Sequence, residues 1–296
     1  MKVMRIKNLF ILAIIAIFTS GCSATRNESR VISVTIPPLK GIVSQIVGEG
    51  YEIVVILPQS TAPETYSPTI SQLSDISSSE YVFAIGTLNF EQTIINSLSQ
   101  SPDCKVFTTS NDIELLSGCC SHSHKEGGHS HAHSHSIDPH VWMSHDGLLK
   151  IVDNITNVLT ANNPDSTTYL ANAERIKERI VAQKAKADSL LDNAPKSFLI
   201  YHPALGYFAA EQGLEQIALE NEGKNPTPKS LASTIDRVNS EGLNIMLYQQ
   251  EYPRSIVKPI AEILGVNLFD INPLSDDAIS ELDKVINILS MQNEKE

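Results

Sequence analysis

Histidine is the residue whose number and spacing suggest chemistry in this chain. There are nine, and six of them, His122, His124, His129, His131, His133 and His135, fall in one Ser- and Gly-rich stretch. The other three are His140, His145 and His202. Neutral imidazole and carboxylate are ligands for zinc and the neighbouring first-row metals. Two short segments place a histidine beside proline, as suits a strand end: Asp138-Pro139-His140-Val141-Trp142 and His202-Pro203-Ala204. A third polar segment, Ala62-Pro63-Glu64-Thr65-Tyr66, follows an apolar run. The chemistry these residues imply is metal binding. A lone histidine at a strand end is often only structural, and an exposed loop carboxylate is the plain alternative for Glu64. Two histidines and one carboxylate also suit a hydrolase, in which zinc polarises water and Glu64 acts as base. No His-Glu-x-x-His pattern supports that reading. His145 follows Ser144, a helix N-cap residue, and reads as a solvated first-turn side chain. Alternating His-x-His spacing over a flexible tract suits loose, exchangeable metal capture, with Cys119 and Cys120 available as thiolates if reduced.

Positioning such residues requires a frame of strands. Apolar runs at Val31–Ile36, Tyr51–Leu57, Tyr81–Gly86 and Lys105–Ser110 read as strands, and so do Phe198–His202, Leu214–Glu220, Asn244–Gln249 and Val266–Asn272. They are near-continuous rather than alternating, as in sheets covered on both faces. Helical periodicity fills Leu39–Val47, Ser67–Ser78, His145–Thr160, Thr227–Ser240, Pro253–Leu264 and Asp276–Ser290. Asn163 and Pro164 open a helical segment reaching Leu191 with no interior Gly or Pro. The expected fold is α/β, with two lobes joined by one long rigid helix. Each lobe holds a mainly parallel four-stranded sheet flanked by helices. The expected boundaries are 31–162 for the first lobe, with a His-rich loop at 119–136, 163–192 for the linking helix and 193–296 for the second lobe. Ligands of such folds bind outside the carboxyl ends of the strands, so the metal site is expected in the inter-lobe cleft.

The chain has 296 residues, a net charge of −12 and 42% hydrophobic residues. That composition supports a folded core and argues against a nucleic-acid partner, which requires a basic footprint. Residues 1–21 read as a signal peptide: Lys2, Arg5 and Lys7 precede an apolar run from Leu9 to Phe18 that is too short to span a membrane. Small residues before Cys22 suggest a lipobox, with Cys22 lipidated and 22–30 as a tether. Removing residues 1–21 takes away three basic residues and no acidic one, which deepens the charge to −15. Three further cysteines permit one bridge, from Cys104 to either Cys119 or Cys120.

In order and context these segments resemble the metal-binding class of ABC-transporter solute-binding proteins, especially the zinc-uptake members. The resemblance runs over Val31–Ser290. Its motifs are Ile36-Pro37-Pro38-Leu39, Pro63-Glu64-Thr65-Tyr66, Asp138-Pro139-His140-Val141-Trp142, His202-Pro203-Ala204 and Asn272-Pro273-Leu274, with the His-rich loop ahead of the third. The resemblance implies metal ligands at Glu64, His140 and His202 and a fourth at Asn272. Glu64 stands where the family has histidine, and Asn272 where it often has aspartate. Asp270, two residues earlier on the same strand face, is the other choice for the fourth donor. The implied cargo is Zn2+, with Mn2+ or Fe2+ as alternatives because a carboxylate oxygen hardens the site. The implied partners are an ABC permease and its ATPase. The protein is then expected to be a monomeric, lipid-anchored binding protein outside the cytoplasmic membrane, not an enzyme. A continuous helical linker implies small lobe motion. A metal-buffering or adhesin lipoprotein is the remaining reading.

Overall fold

The computed structural model describes residues 30–99, 105–118, 137–161, 163, 165–220 and 224–293. The signal segment, Cys22, Cys104, Cys119, Cys120, Pro164 and the six clustered histidines lie outside the described residues.

Two parallel four-stranded sheets form the frame, as the apolar runs predict. Strands β1 (Val31–Val34), β2 (Glu52–Val55), β3 (Tyr81–Ala84) and β4 (Lys105–Thr108) pair in the order β2-β1-β3-β4. Strands β5 (Ser197–Ile200), β6 (Glu215–Ala218), β7 (Ile245–Gln249) and β8 (Asn267–Ile271) repeat that order as β6-β5-β7-β8. Every residue of β5 and β7 is buried, which accounts for runs without polar alternation.

The helices are α1 (Pro37–Val47), α2 (Ile70–Ile76), α3 (Asn89–Leu98), α4 (His145–Thr160), α5 (Ser166–Leu191), α6 (Gly206–Gln212), α7 (Pro228–Glu241), α8 (Arg254–Leu264) and α9 (Ala278–Ser290). Their starts follow capping chemistry. The Ser144 hydroxyl accepts from Gly147 N–H at 3.1 Å to cap α4. Thr69 and Gln72 form a reciprocal capping box on α2. Helices α3 and α6 were not anticipated from the sequence. The buried Glu91 carboxylate holds the start of α3, accepting from the N–H groups of Ile85, Gly86 and Leu88 and from the Thr35 hydroxyl.

The linking helix begins later than Asn163 suggests. Asn163 forms a turn, its side-chain oxygen accepting from Asp165 N–H at 3.0 Å, and α5 starts at Ser166. At 1.5 Å per residue its 26 residues span about 39 Å. Tyr169, Ala173, Ile176, Ile180, Gln183, Ala187 and Leu191 form its buried stripe. It packs on α1 and α4 of the first lobe and on α9 of the second. One apolar core runs unbroken from Ile32 and Phe83, through Trp142 and Ile180, to Phe198, Leu247 and Leu282. A smaller cluster around Leu199, Met246 and Leu264 fills the outer part of the second lobe.

Candidate metal centre

Three chain segments bring one donor each to the cleft. Glu64 comes from the loop between β2 and α2, His140 from the turn before α4, and His202 from just past the carboxyl end of β5. One ligand atom from each lies within 4.8 Å of the other two. Glu64 Oε1 is 3.5 Å from His140 Nε2 and 3.5 Å from His202 Nε2. Zinc holds nitrogen and oxygen donors at about 2.0–2.1 Å, so two donors on a tetrahedron stand about 3.4 Å apart. The spacing is thus too long for tight hydrogen bonds and matches an edge of a zinc tetrahedron.

Both rings are held from behind. His140 Nδ1 meets Asp138 Oδ1 at 2.8 Å, and the same oxygen accepts the backbone N–H of His140. His202 Nδ1 meets Glu220 Oε2 at 2.5 Å. A carboxylate on Nδ1 keeps a proton on that nitrogen and aims Nε2 at the centre, the usual support of a metal-bound imidazole. Gln249, the last residue of β7, grips the backbone of His202 through both ends of its amide. Tyr252 stacks on the His202 ring. Asp138 itself lies close against α6: a Cβ on Gly206 would fall 2.3 Å from Asp138 Oδ2, so a larger residue there would push the carboxylate aside. Tyr207, the next residue, donates its hydroxyl to the Asp138 carbonyl and accepts from Leu116 N–H.

The charges of the trio are interdependent. Burial alone raises the Glu64 carboxyl, but His140 and His202 outweigh it and hold the group well below the usual carboxylate range. Burial pulls His202 down, yet Glu220 and Glu64 lift it to about 9. His140 is raised in the same way by Asp138 and Glu64 against its burial. Glu251 lines the same cleft. Its carboxyl is pushed up by burial and by the negative charge of Glu64.

At both positions expected to supply a fourth donor, Asn272 and Asp270, the side-chain oxygen already accepts hydrogen bonds outside the trio. The Asn272 side-chain oxygen accepts from Leu274 N–H at 3.1 Å, and the residue lines a neighbouring cavity. Its amide therefore forms the turn before Pro273. The Asp270 side chain is 44% exposed and bonds Lys284 Nζ at 3.0 Å and Gln250 at 3.1 Å. His145 also departs from expectation. It sits at the start of α4 but is fully buried, with Nδ1 2.5 Å from Glu211 of α6. Asp138 and Glu220, which hold the two rings, are not picked out by the sequence reading, and neither is Glu251, which lines the same cleft. Asp138 was quoted within its motif, but no local signal distinguishes Glu220 or Glu251 from other acidic residues.

Two α/β lobes on one helix, with metal donors converging between them, define the class of metal-binding solute-binding proteins. The chain belongs to the family described as zinc-uptake complex component A, periplasmic (ZnuA), whose model matches residues 32–292. A zinc-binding lipoprotein, AdcA, of Streptococcus pneumoniae is 26% identical over 90% of this chain and 55% of its own length. The chain thus spans about half the length of that curated relative. The high-affinity zinc uptake system protein ZnuA of Bacillus subtilis is 24% identical over 93% of this chain and 88% of its own. A crystal structure of a zinc-bound ZnuA deletion mutant superposes with a TM-score of 0.78 at 25% identity, covering 91% of this chain and all of the other.

Proposed function

We propose that this protein captures one divalent transition metal, foremost Zn2+, between Glu64, His140 and His202 and delivers it to an ABC importer. The observation that carries this reading is the pair of 3.5 Å separations between Glu64 Oε1 and two imidazole nitrogens, each imidazole fixed from behind by a buried carboxylate. Such a site is preorganised for an ion before the ion arrives. The names of the relatives support zinc as the cargo. Delivery requires a permease and its ATPase as partners. The signal-like residues 1–21 and Cys22 support a location outside the cytoplasmic membrane with a lipid anchor. The role is capture and hand-over rather than catalysis: the carboxylates behind both histidines are engaged in holding them, and the family is one of transport components.

The test is the metal content of protein purified without added metal, followed by zinc titration against a chromophoric chelator. The full chain should hold one tight zinc. Deleting Ser121–Ser136 should lower the total stoichiometry and leave that tight site. His140→Ala should abolish it. Loss of all tight binding on the deletion, with none on His140→Ala, places the site elsewhere and overturns the reading.

A further inference from the structure

Two cavities meet in the cleft. The inner one holds the trio, and the outer one opens between Pro37, Lys40 and Gln59 on one lobe and Asn272 and Asp276 on the other. Only Glu251 and Leu274 belong to both walls. Glu251 is therefore the one group with a metal-binding atom shared by the two spaces among the described residues. Its carboxylate forms no hydrogen bond or ion pair with another side chain among these residues, whereas Asp138, Glu220 and Glu211 are all engaged. Its charged neighbours are Glu64, His202 and His140.

We propose that Glu251 is the fourth protein ligand of the bound ion and its first contact on entry from the outer cavity. This inference rests on the reading of Glu64, His140 and His202 as the ion's site. Two neutral imidazoles and one carboxylate bring a single negative charge to a divalent ion in a low-dielectric cleft. A second carboxylate makes the ligand charge equal and opposite to the ion's and fills the tetrahedron. Strand pairing explains why the donor comes from this loop. Gln249 of β7 lies in register with Ile271 of β8, so Glu251 and Asn272 stand on adjacent loops at the same edge of the sheet. A neutral amide occupied in its own turn at 272 is thus compensated by a carboxylate next door. The Glu251 oxygens stand outside the 4.8 Å span that unites the trio. The side chain must swing inward to bind, and the contact it gives up is one with its own backbone N–H.

The experiment compares the full chain with Glu251→Gln, Glu251→Asp and His140→Ala by chelator competition with Zn2+ and by the visible spectrum of one equivalent of Co2+. Glu251→Gln should weaken zinc about 10–100-fold, a change typical of losing a group that fixes a metal site. It should also shift the cobalt bands towards a site with water in the fourth position. The spectrum of Glu251→Asp, whose shorter arm displaces the oxygen, should move as well, which keeps the test open if Glu251→Gln fails to fold. In Glu251→Gln, Asn272→Asp should recover part of the loss by restoring a carboxylate at the same edge. Unchanged affinity and spectrum in Glu251→Gln, with binding lost in His140→Ala, overturns the role of Glu251 and leaves the proposed function standing. Weaker binding with an unchanged cobalt spectrum overturns ligation by showing that the charge acts from a distance. A full chain and a His140→Ala variant that bind alike overturn both.

Discussion

At the scale of residues, the donors that face one another in the cleft are also proton sites. Burial disfavours the charged His202 ring, but Glu220 and Glu64 raise it to about 9, so near neutral pH its Nε2 carries a proton. A metal ion needs that lone pair. Zinc binding at pH 7 should therefore release at least one proton, and affinity should climb as pH rises towards 9. Titration calorimetry in buffers of different ionisation enthalpy measures the release, and a buffer-independent heat contradicts it. Glu64 sets a second expectation. An oxygen where the family has an imidazole adds negative charge and favours harder ions. Glu64→His should widen the preference for Zn2+ over Mn2+ in side-by-side titrations, and an unchanged ratio sinks the idea. His140 and His202 were legible in the sequence because each lies in a motif whose neighbours are themselves distinctive. Glu220 was not, since it meets His202 from 18 residues away with no motif linking the two, and nothing in the sequence sets Glu251 apart from other acidic residues. At Asn272 the motif matches, while its side-chain oxygen accepts from Leu274 N–H.

At the scale of elements, one carboxylate ties three helices together. Glu211 of α6 accepts from the N–H groups of His145 and Asp146 at the start of α4 and from the His145 ring, while Lys184 of α5 lies 3.4 Å away. Burial raises this carboxyl, but His145 and the N–H groups of the α4 terminus outweigh it and hold it at about 2. The folded value lies below the unfolded one. The stabilisation is therefore complete above about pH 4.5 and is lost as pH falls towards 2. Its size is on the order of 3 kcal/mol. Denaturant unfolding should find Glu211→Gln less stable than the parent at pH 6 and the gap narrowed at pH 3. A gap independent of pH rules the carboxylate out as its source. The same contact explains why His145 reads as solvated from the sequence: Ser144 does cap α4, but the partner that buries His145 belongs to the other lobe. The central strands were legible because buried parallel strands leave near-continuous apolar runs. Helix α6 was not, being seven residues long and starting at a glycine.

At the scale of the whole molecule, the contact between the two lobes is built from backbone as well as side chains. The Trp142 indole donates to the Pro273 carbonyl at 2.8 Å across the cleft. Gln183 of the linking helix donates to the Ile279 carbonyl. Most restrictive is Gly41, on the face of α1 that meets the segment leading into α9: a Cβ there would fall 1.6 Å from the Asp276 carbonyl oxygen. Neither side can yield alone, since one is a helix and the other is backbone anchored to the start of α9. The first lobe carries Glu64 and His140 and the second carries His202, so any separation at Gly41 is passed to the 3.5 Å gaps between them. Gly41→Ala should therefore cost about 1–3 kcal/mol through overpacking and lower the thermal midpoint by several degrees. It should also weaken zinc binding, although residue 41 touches none of the donors. A hinged protein predicts the opposite, with the lobes parting at little cost and closing again around the ion. Calorimetric unfolding of the metal-free variant and chelator competition distinguish the two: a parental midpoint with parental affinity shows that the lobes adjust freely, and the rigid frame is then wrong.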